Sequence, residues 1–196
     1  MSKTPAMFRP FTRFAEFNGR SNRAELWLFI LFMYLVMGVF AAVMYATSLK
    51  GGRFDIDTFL PNYIRFSPTL GLFNLVVLIP YLAVGVRRLH DTGRTGWWFL
   101  FPVAVSILAY IVFFAVKGSE VMGLAINMGQ QMSEQAVDGP AMMNPVTVLK
   151  LEWPIFQLMI PWVMIPSMAG QLVLWFLWAL PGNTGDNRFG APAEAG

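Results

Sequence analysis

If this chain performs chemistry, the residues for it sit in Arg87-Arg88-Leu89-His90-Asp91-Thr92-Gly93-Arg94-Thr95-Gly96-Trp97-Trp98, the dense polar cluster between two long apolar runs. It contains the chain's single histidine. A carboxylate that orients an imidazole makes a general base. Adjacent residues on a helix, however, point about 100° apart, so His90 and Asp91 do not readily bond each other. There is no serine in a nucleophile-elbow setting and no His-Glu-x-x-His, P-loop or dinucleotide glycine pattern. The absence of cysteine excludes a disulfide framework, a thiolate metal site and a Cys nucleophile. One histidine cannot build a multi-His metal centre. No catalytic residue, metal ligand set or cofactor is therefore expected. His90 as a pH switch follows from its unperturbed pKa of about 6.5, with a purely structural role as the plainer expectation.

The arginines carry the sharper signal. Arg20, Arg23, Arg87, Arg88, Arg94 and Arg188 stand at the ends of apolar runs, with Arg where Lys would serve for topology alone. Arginine presents a planar fork that grips carboxylate or phosphate bidentately. Gly19, Gly93, Gly96, Gly182 and Gly185 lie beside them, and glycine lets backbone N–H groups approach a ligand. Arg, Gly and interfacial Trp together suit a phospholipid headgroup. The candidate headgroup- or partner-binding set is Arg20, Arg23, Arg87, Arg88, His90, Asp91, Gly93, Arg94, Gly96, Trp97, Trp98 and Arg188. The same residues suit an internal ion-pair lattice of Glu25, Asp91, Asp186, Arg23 and Arg87. In it Arg23 meets Asp91, Glu25 meets Arg87 or Arg88, Arg188 meets a carboxylate, and Arg87 pairs with Asp91 four residues on. A third reading makes these charges topology anchors. A charge at mid-membrane costs roughly 2.5–3.5 kcal/mol, a cost that largely vanishes at span ends.

The elements that must position these groups are membrane helices. Of the residues, 56% are hydrophobic and 13% charged, against about 25% charged in soluble domains. That imbalance makes lipid the solvent. Residues 1–25 form a basic segment in which Phe8, Phe11, Phe14 and Phe17 recur every third residue, fitting a turn of helix on the membrane surface. Leu26–Leu49, Phe66–Val86 and Gly96–Val116 are uncharged and close to the roughly 20 residues a bilayer core needs. Asn22 with Glu25 marks a helix start, and the first run is too long for the core of a cleaved signal peptide. Lys50–Arg65 reads as a polar loop, with Pro68 in the first turn of the second span and Pro80 kinking it, which in lipid requires packed neighbours. Arg87, Arg88 and His90 suit the last turn of that span, and Gly93 suits its left-handed end. The fourth uncharged run, Trp153–Leu180, is broken by Pro154, Pro161 and Pro166. Trp153–Ile165 reads as an interfacial or tilted lead-in, with a re-entrant loop as alternative, and Pro166–Leu180 as the deeper half. Residues 181–196 read as a turn-rich tail.

Lys117–Glu152 is the long third connection. Ser119 suits the cap of an amphipathic helix carrying Val121, Ala125, Met128, Met132 and Ala136 on one face, ended by Asp138-Gly139-Pro140. The fold class expected is thus all-α, with four transmembrane helices (about 26–49, 66–86, 96–116 and 155–180), an interfacial N-terminal segment and an amphipathic helix in the third loop. Four spans put both termini and the hairpin on one side. That side carries nine Lys and Arg (five in residues 1–25, three in the hairpin, one in the tail), against five on the other. The positive-inside rule therefore places the termini in the cytoplasm.

Three segments carry a family resemblance: Phe17-Asn18-Gly19-Arg20-Ser21-Asn22-Arg23-Ala24-Glu25-Leu26-Trp27, the Arg87–Trp98 hairpin, and Pro181-Gly182 with Asn187-Arg188-Phe189-Gly190. In this order they resemble the bacterial inner-membrane family catalogued as domain of unknown function 805, over about residues 14 to 192. The resemblance implies a small multi-pass inner-membrane protein and brings no established activity. Lys117–Glu152 looks like an insertion relative to that family. The expected function is a noncatalytic membrane or envelope interaction protein. Its partners are membrane lipids and either further copies or other membrane proteins, with no nucleic acid. The alternative is a small oligomeric transporter or channel subunit. Against it, the span interiors carry no charge, only Asn74, Gln157, Gln171 and prolines.

Overall fold

The computed structural model describes residues 4–136 and 145–193. Four helical segments are long and apolar enough to cross a membrane: Arg23–Thr47, Ile56–Asp91, Gly96–Gln131 and Glu152–Ala179. The chain divides into two compact units, Met1–Phe99 with Leu174–Gly196, and Leu100–Val173.

The first unit opens on a 3-10 turn, Ala6–Phe8, and a short helix α1, Arg9–Thr12. Phe8 and Phe11 stand edge-on to Phe32 and Phe29 of the next helix, with centroids 5.5 and 5.3 Å apart. Phe14 and Phe17 are exposed. The phenylalanine spacing therefore marks one docked helical turn and not a helix through residue 17. The chain turns at Arg13, where Glu16 N donates to Arg13 O.

Helix α2 runs Arg23–Thr47. Its start is chemically defined: the Asn22 side chain accepts from Glu25 N at 2.8 Å, and Glu25 brings negative charge to the positive helix end. At its other end Ser48 Oγ donates to Met44 O at 2.7 Å. A two-stranded hairpin follows, β1 Leu49–Lys50 with β2 Arg53–Phe54, Leu49 facing Phe54.

Helix α3 then runs from Ile56 to Asp91, 36 residues. The expected Lys50–Arg65 loop is thus half hairpin and half helix. Asp57 sits in the first turn, Thr58 Oγ1 donates to Asp55 Oδ2 at 2.5 Å, and Pro61 and Pro68 lie inside the helix instead of ending it. At 1.5 Å per residue α3 is about 54 Å long, against a hydrocarbon core of about 30 Å. Its polar start has no need to lie in lipid. Pro80 is fully buried, as a helix with an unsatisfied carbonyl in lipid requires.

The core of this unit is Leu26, Phe29 and Ile30 of α2, Val77, Val84 and Leu89 of α3, and Leu174, Leu177 and Trp178 from the last helix. Tyr81, Phe99 and Trp178 meet at centroid separations of 5.6 to 6.0 Å. The core thickens toward the Asp91 end of α3, where buried residues run almost unbroken from Ala83 to Asp91. Elsewhere the helices expose large apolar side chains, among them Leu72, Leu75 and Val39. In water that would be a liability; in lipid it is the expected outer surface.

In the second unit α4 runs Phe101–Ala136, preceded by a 3-10 turn Gly96–Leu100. Residues 119–136 are helical, but as an unbroken extension of the third span and not as a separate element. Nothing between Val116 and Ser119 stops a helix, and Lys117 Nζ bridges to Glu120 across one turn at 2.6 Å. Asp138-Gly139-Pro140 lies outside the described residues. The fourth span is one helical run: α5 Pro145–Met159, a π-helical turn Ile160–Met164 and α6 Ile165–Ala179, whose part from Leu174 belongs to the first unit. The lead-in and deeper half inferred from the prolines are continuous, without re-entry. Pro161 has no N–H to give, and the backbone passes it by widening the register, with Ile165 N bonding Ile160 O.

Candidate functional site

The Asp91 end of α3 gathers three separate stretches: residues 13–25, the hairpin 87–98, and the tail from Leu180. Thr92 closes the helix, and Gly93 follows with φ +75°, the left-handed conformation that suits glycine. Gly93 N bonds His90 O at 2.9 Å and Arg94 N bonds Leu89 O at 3.0 Å, which takes up the last helical carbonyls.

Three buried arginines pin the stretches together. Arg20 donates from Nε to Asp91 Oδ1 at 2.9 Å, from Nη1 to the carbonyl oxygens of Gly185 and Gly190, and from Nη2 to Asn183 O. Arg88 donates from Nη1 to Asp91 Oδ2, from Nε to Trp178 O at 2.8 Å, and from Nη2 to Leu180 O. It thereby caps the carbonyl end of α6 with a cation, where the helix dipole favours one. Arg87 donates from Nη2 to Glu25 Oε1 at 2.9 Å and from Nη1 to Glu16 O at 2.5 Å. All three guanidiniums are at least 99% buried. At such sites a charge is tolerable only when paired and hydrogen-bonded.

Backbone and amide bonds complete the clasp. Ser21 N reaches Arg87 O at 3.2 Å, Asn183 N reaches Asp91 O at 2.9 Å, and Asn187 Nδ2 donates to His90 O at 2.9 Å. The backbone of Gly182 lies so close to the Asp91 carboxylate that a Cβ there would overlap it. Ser21 Oγ and Arg87 Nε are buried without a partner among the described residues.

His90 is part of the packing. Its ring stacks on Phe189 at 3.8 Å and 3°, and its Nδ1 lies 3.2 Å from Gly19 O. Both Asp91 oxygens face arginines, so Asp91 does not orient His90. Arg188 lies 4.8 Å from the Phe189 ring and donates from Nη2 to Gly93 O at 3.2 Å.

The partners differ from the expected pairing in instructive ways. Asp91 takes Arg20 and Arg88, not Arg23 or Arg87. Arg23 lies in the first turn of α2 and, among the described residues, donates to Ala179 O at 3.5 Å. Arg87 is drawn to Glu25 on α2, leaving the (i, i+3) neighbour Arg88 for Asp91. Arg188 meets a carbonyl and a ring instead of a carboxylate, and among the described residues Asp186 makes no ion pair. Arg94 donates to Thr92 O at 3.5 Å, Gly96 opens the 3-10 turn, and Trp97 is 77% exposed with Trp98 also outward.

Sequence reasoning missed Asn183, Asn187 and Phe189 as clasp residues, although they stand in the tail motif. It also missed the Arg13–Glu16 pair, whose two bonds of 2.8 and 2.7 Å were foreshadowed by the three-residue spacing. The Arg13 guanidinium holds the Glu16 carboxyl below its usual range, and Glu16 in turn raises Arg13. Among the described residues no three His, Asp or Glu side chains gather closely enough to hold a metal ion.

Inner membrane protein YhaI of Escherichia coli K12 is 32% identical over 108 residues, 54% of this chain and 79% of that protein. Inner membrane protein YhaH of the same strain is 32% identical over 111 residues, 54% of this chain and 80% of that one. Uncharacterized protein YiiR is 37% identical over 97 residues, covering 48% and 54%. No solved structure matches. The family model described as Protein of unknown function (DUF805) matches residues 14–122. It holds the first two motifs and stops inside the long third connection, so the tail motif at 181–190 lies outside it, short of the expected extent to residue 192. With more than half its length matched and two relatives covered over more than three quarters of theirs, this multi-pass membrane chain belongs to the DUF805 family.

Proposed function

We propose that this protein is a noncatalytic inner-membrane protein whose arginine clasp faces the cytoplasm and engages the anionic headgroups of the surrounding lipid. The single observation that carries the reading is a charge imbalance. In the three converging stretches together with the α1 turn that leads into them, eight described arginines (9, 13, 20, 23, 87, 88, 94 and 188) meet four carboxylates (Glu16, Glu25, Asp91 and Asp186). Inside the clasp Asp91 alone serves two of those arginines. An excess of guanidinium beside exposed Trp97 and Trp98 suits a layer of phosphates, because cationic side chains near an anionic surface gain about 1 kcal/mol each. The residues divide the work. Arg20, Arg87 and Arg88 are turned inward and hold the fold, so headgroup contact falls to Arg9, Arg13, Arg23, Arg94 and Arg188. The preponderance of Lys and Arg in the termini and hairpin supports the cytoplasmic orientation.

Lipid identification on the full-length protein, gently extracted from bacterial membrane, tests the reading. Anionic phospholipid should be enriched over zwitterionic lipid relative to the bulk extract. Co-purified lipid of bulk composition would remove the headgroup role.

A further inference from the structure

Beside the clasp lies a cleft of about 340 Å³ whose lining includes Arg9, Thr12, Arg13, Arg20, Asn22 and Glu25. We infer that this cleft is the seat of a phosphate group, a phosphomonoester or phosphodiester, held by Arg9 and Arg13. The inference rests on the headgroup reading above and gives it a specific site.

The donors are in place. Among the described residues Arg9 donates from Nε alone, to Thr4 O at 3.3 Å, which fixes the side chain and leaves both terminal nitrogens for a ligand. Arg13 gives Nε and Nη2 to Glu16, which leaves Nη1. The Arg13–Glu16 pair is partly exposed to solvent, its side chains 33% and 50% accessible. Thr12 donates to Arg9 O at 2.9 Å and tightens the turn from which both arginines project. Arg9 and Arg13 stand four residues apart, one helical turn, and so present to one face.

The electrostatics favour an anion. Of the three arginines that line the cleft, Arg13 is paired with Glu16 and Arg20 with Asp91, and the lining carboxylate Glu25 faces the buried Arg87 at 2.9 Å, so among the described residues Arg9 is the lining cation without a carboxylate partner. The cleft is small enough for one phosphate with its first substituents. None of Phe8, Phe11, Phe14 and Phe17 is among the cleft's lining residues. A phospholipid headgroup and a free phosphate present the same group to these arginines.

Native mass spectrometry of the full chain tests this, with phosphatidylglycerol, phosphatidylcholine or inorganic phosphate added to mild detergent micelles. The variants are Arg9→Gln, the double variant Arg9→Gln with Arg13→Gln, and Arg53→Gln as a charge-matched control in the β-hairpin. At about fivefold per surface arginine, retention of phosphatidylglycerol should fall about fivefold in the single variant and about twenty-five-fold in the double, with Arg53→Gln unchanged. Retention of inorganic phosphate with the same dependence on Arg9 supports the site and names free phosphate as its ligand. Undiminished retention in Arg9→Gln and in the double variant, with the wild type still preferring phosphatidylglycerol to phosphatidylcholine, overturns the cleft while leaving the headgroup reading intact. If the wild type holds neither probe, or holds phosphatidylcholine as well as phosphatidylglycerol, both fail. Circular dichroism of each variant, with unchanged helicity expected, separates lost binding from lost fold.

Discussion

Among the described residues Asp91 is the one carboxylate shared by two buried arginines, so its neutralisation tests the clasp most severely. Asp91→Asn keeps the side-chain volume and opens no cavity, which isolates the charge. In the native fold Asp91 Oδ1 lies 2.9 Å from Arg20 Nε and Oδ2 faces Arg88 Nη1, with the two guanidiniums 99% buried. Removing one partner of a buried ion pair costs about 3–5 kcal/mol, because the other charge stays buried and uncompensated. Here two charges lose their counterion, but Arg20 keeps the carbonyls of Gly185, Gly190 and Asn183, and Arg88 keeps those of Trp178 and Leu180. Those acceptors bring the expected loss to the lower end, about 3 kcal/mol. For a chain of this length each kcal/mol moves the midpoint by about 2–4 °C, so Tm should fall by about 6–12 °C. Trp178 is fully buried in the adjoining core, so thermal unfolding in detergent followed by tryptophan fluorescence reads the event. Asp186→Asn is the matched control, expected to move Tm by less than about 2 °C, since Asp186 is exposed. Equal shifts in the two variants would refute the reasoning, because the clasp would then not depend on where its negative charge sits.

Other consequences are as specific. Gly182→Ala drives a methyl into the Asp91 carboxylate, which two arginines hold in place; it should cost about 1–3 kcal/mol by calorimetry. Gly185→Ala, three residues along with open space around it, should stay within about 0.5 kcal/mol. Trp178→Ala empties the fully buried site next to Gly85 and deletes the 3.2 Å bond to Gly85 O, for an expected loss of about 3–5 kcal/mol in the same measurement. The Glu16 carboxyl, lowered by its bond to Arg13, helps hold the N-terminal turn as long as it is charged. That help is present above the unfolded value of about 4.3 and is lost as pH falls through the lower folded value. Amide exchange in residues 13–21 should therefore quicken only in strong acid, and Glu16→Gln should make it insensitive to that step.

Much of the fold was legible because lipid imposes coarse rules. Runs without charge must be spans, and the arginines at their ends must lie near one another if the threading is regular. Local chemistry was legible too: Asn22 caps α2, and Gly93 ends α3 with positive φ. What could not be read was choice among equivalents. Arg20 and Arg23 are both near the start of α2, and only the path of the chain at Gly19–Ser21, pinned by Ser21 N on Arg87 O, turns Arg20 toward Asp91. Arg87 and Arg88 both reach Asp91 by spacing, and the choice between them depends on Glu25 lying on a different helix. Helix ends in polar segments were equally hidden. Ile56–Arg65 and Lys117–Ala136 carry charges that stop a hydrophobic run but do not stop a helix, so both spans continue where charge counting ends them.

The central claim is that the N-terminal stretch, the hairpin and the tail close together on a single, cytoplasmic side of the membrane. The chain has no cysteine, so single introduced ones report cleanly. Ala15→Cys, Thr95→Cys and Thr184→Cys sample the three stretches, and Arg53→Cys samples the hairpin at the far end of α2. With a membrane-impermeant maleimide on intact spheroplasts, position 53 should react, whereas 15, 95 and 184 should react only after the membrane is opened. Labelling of any one of those three from outside, with the others protected, would contradict the account.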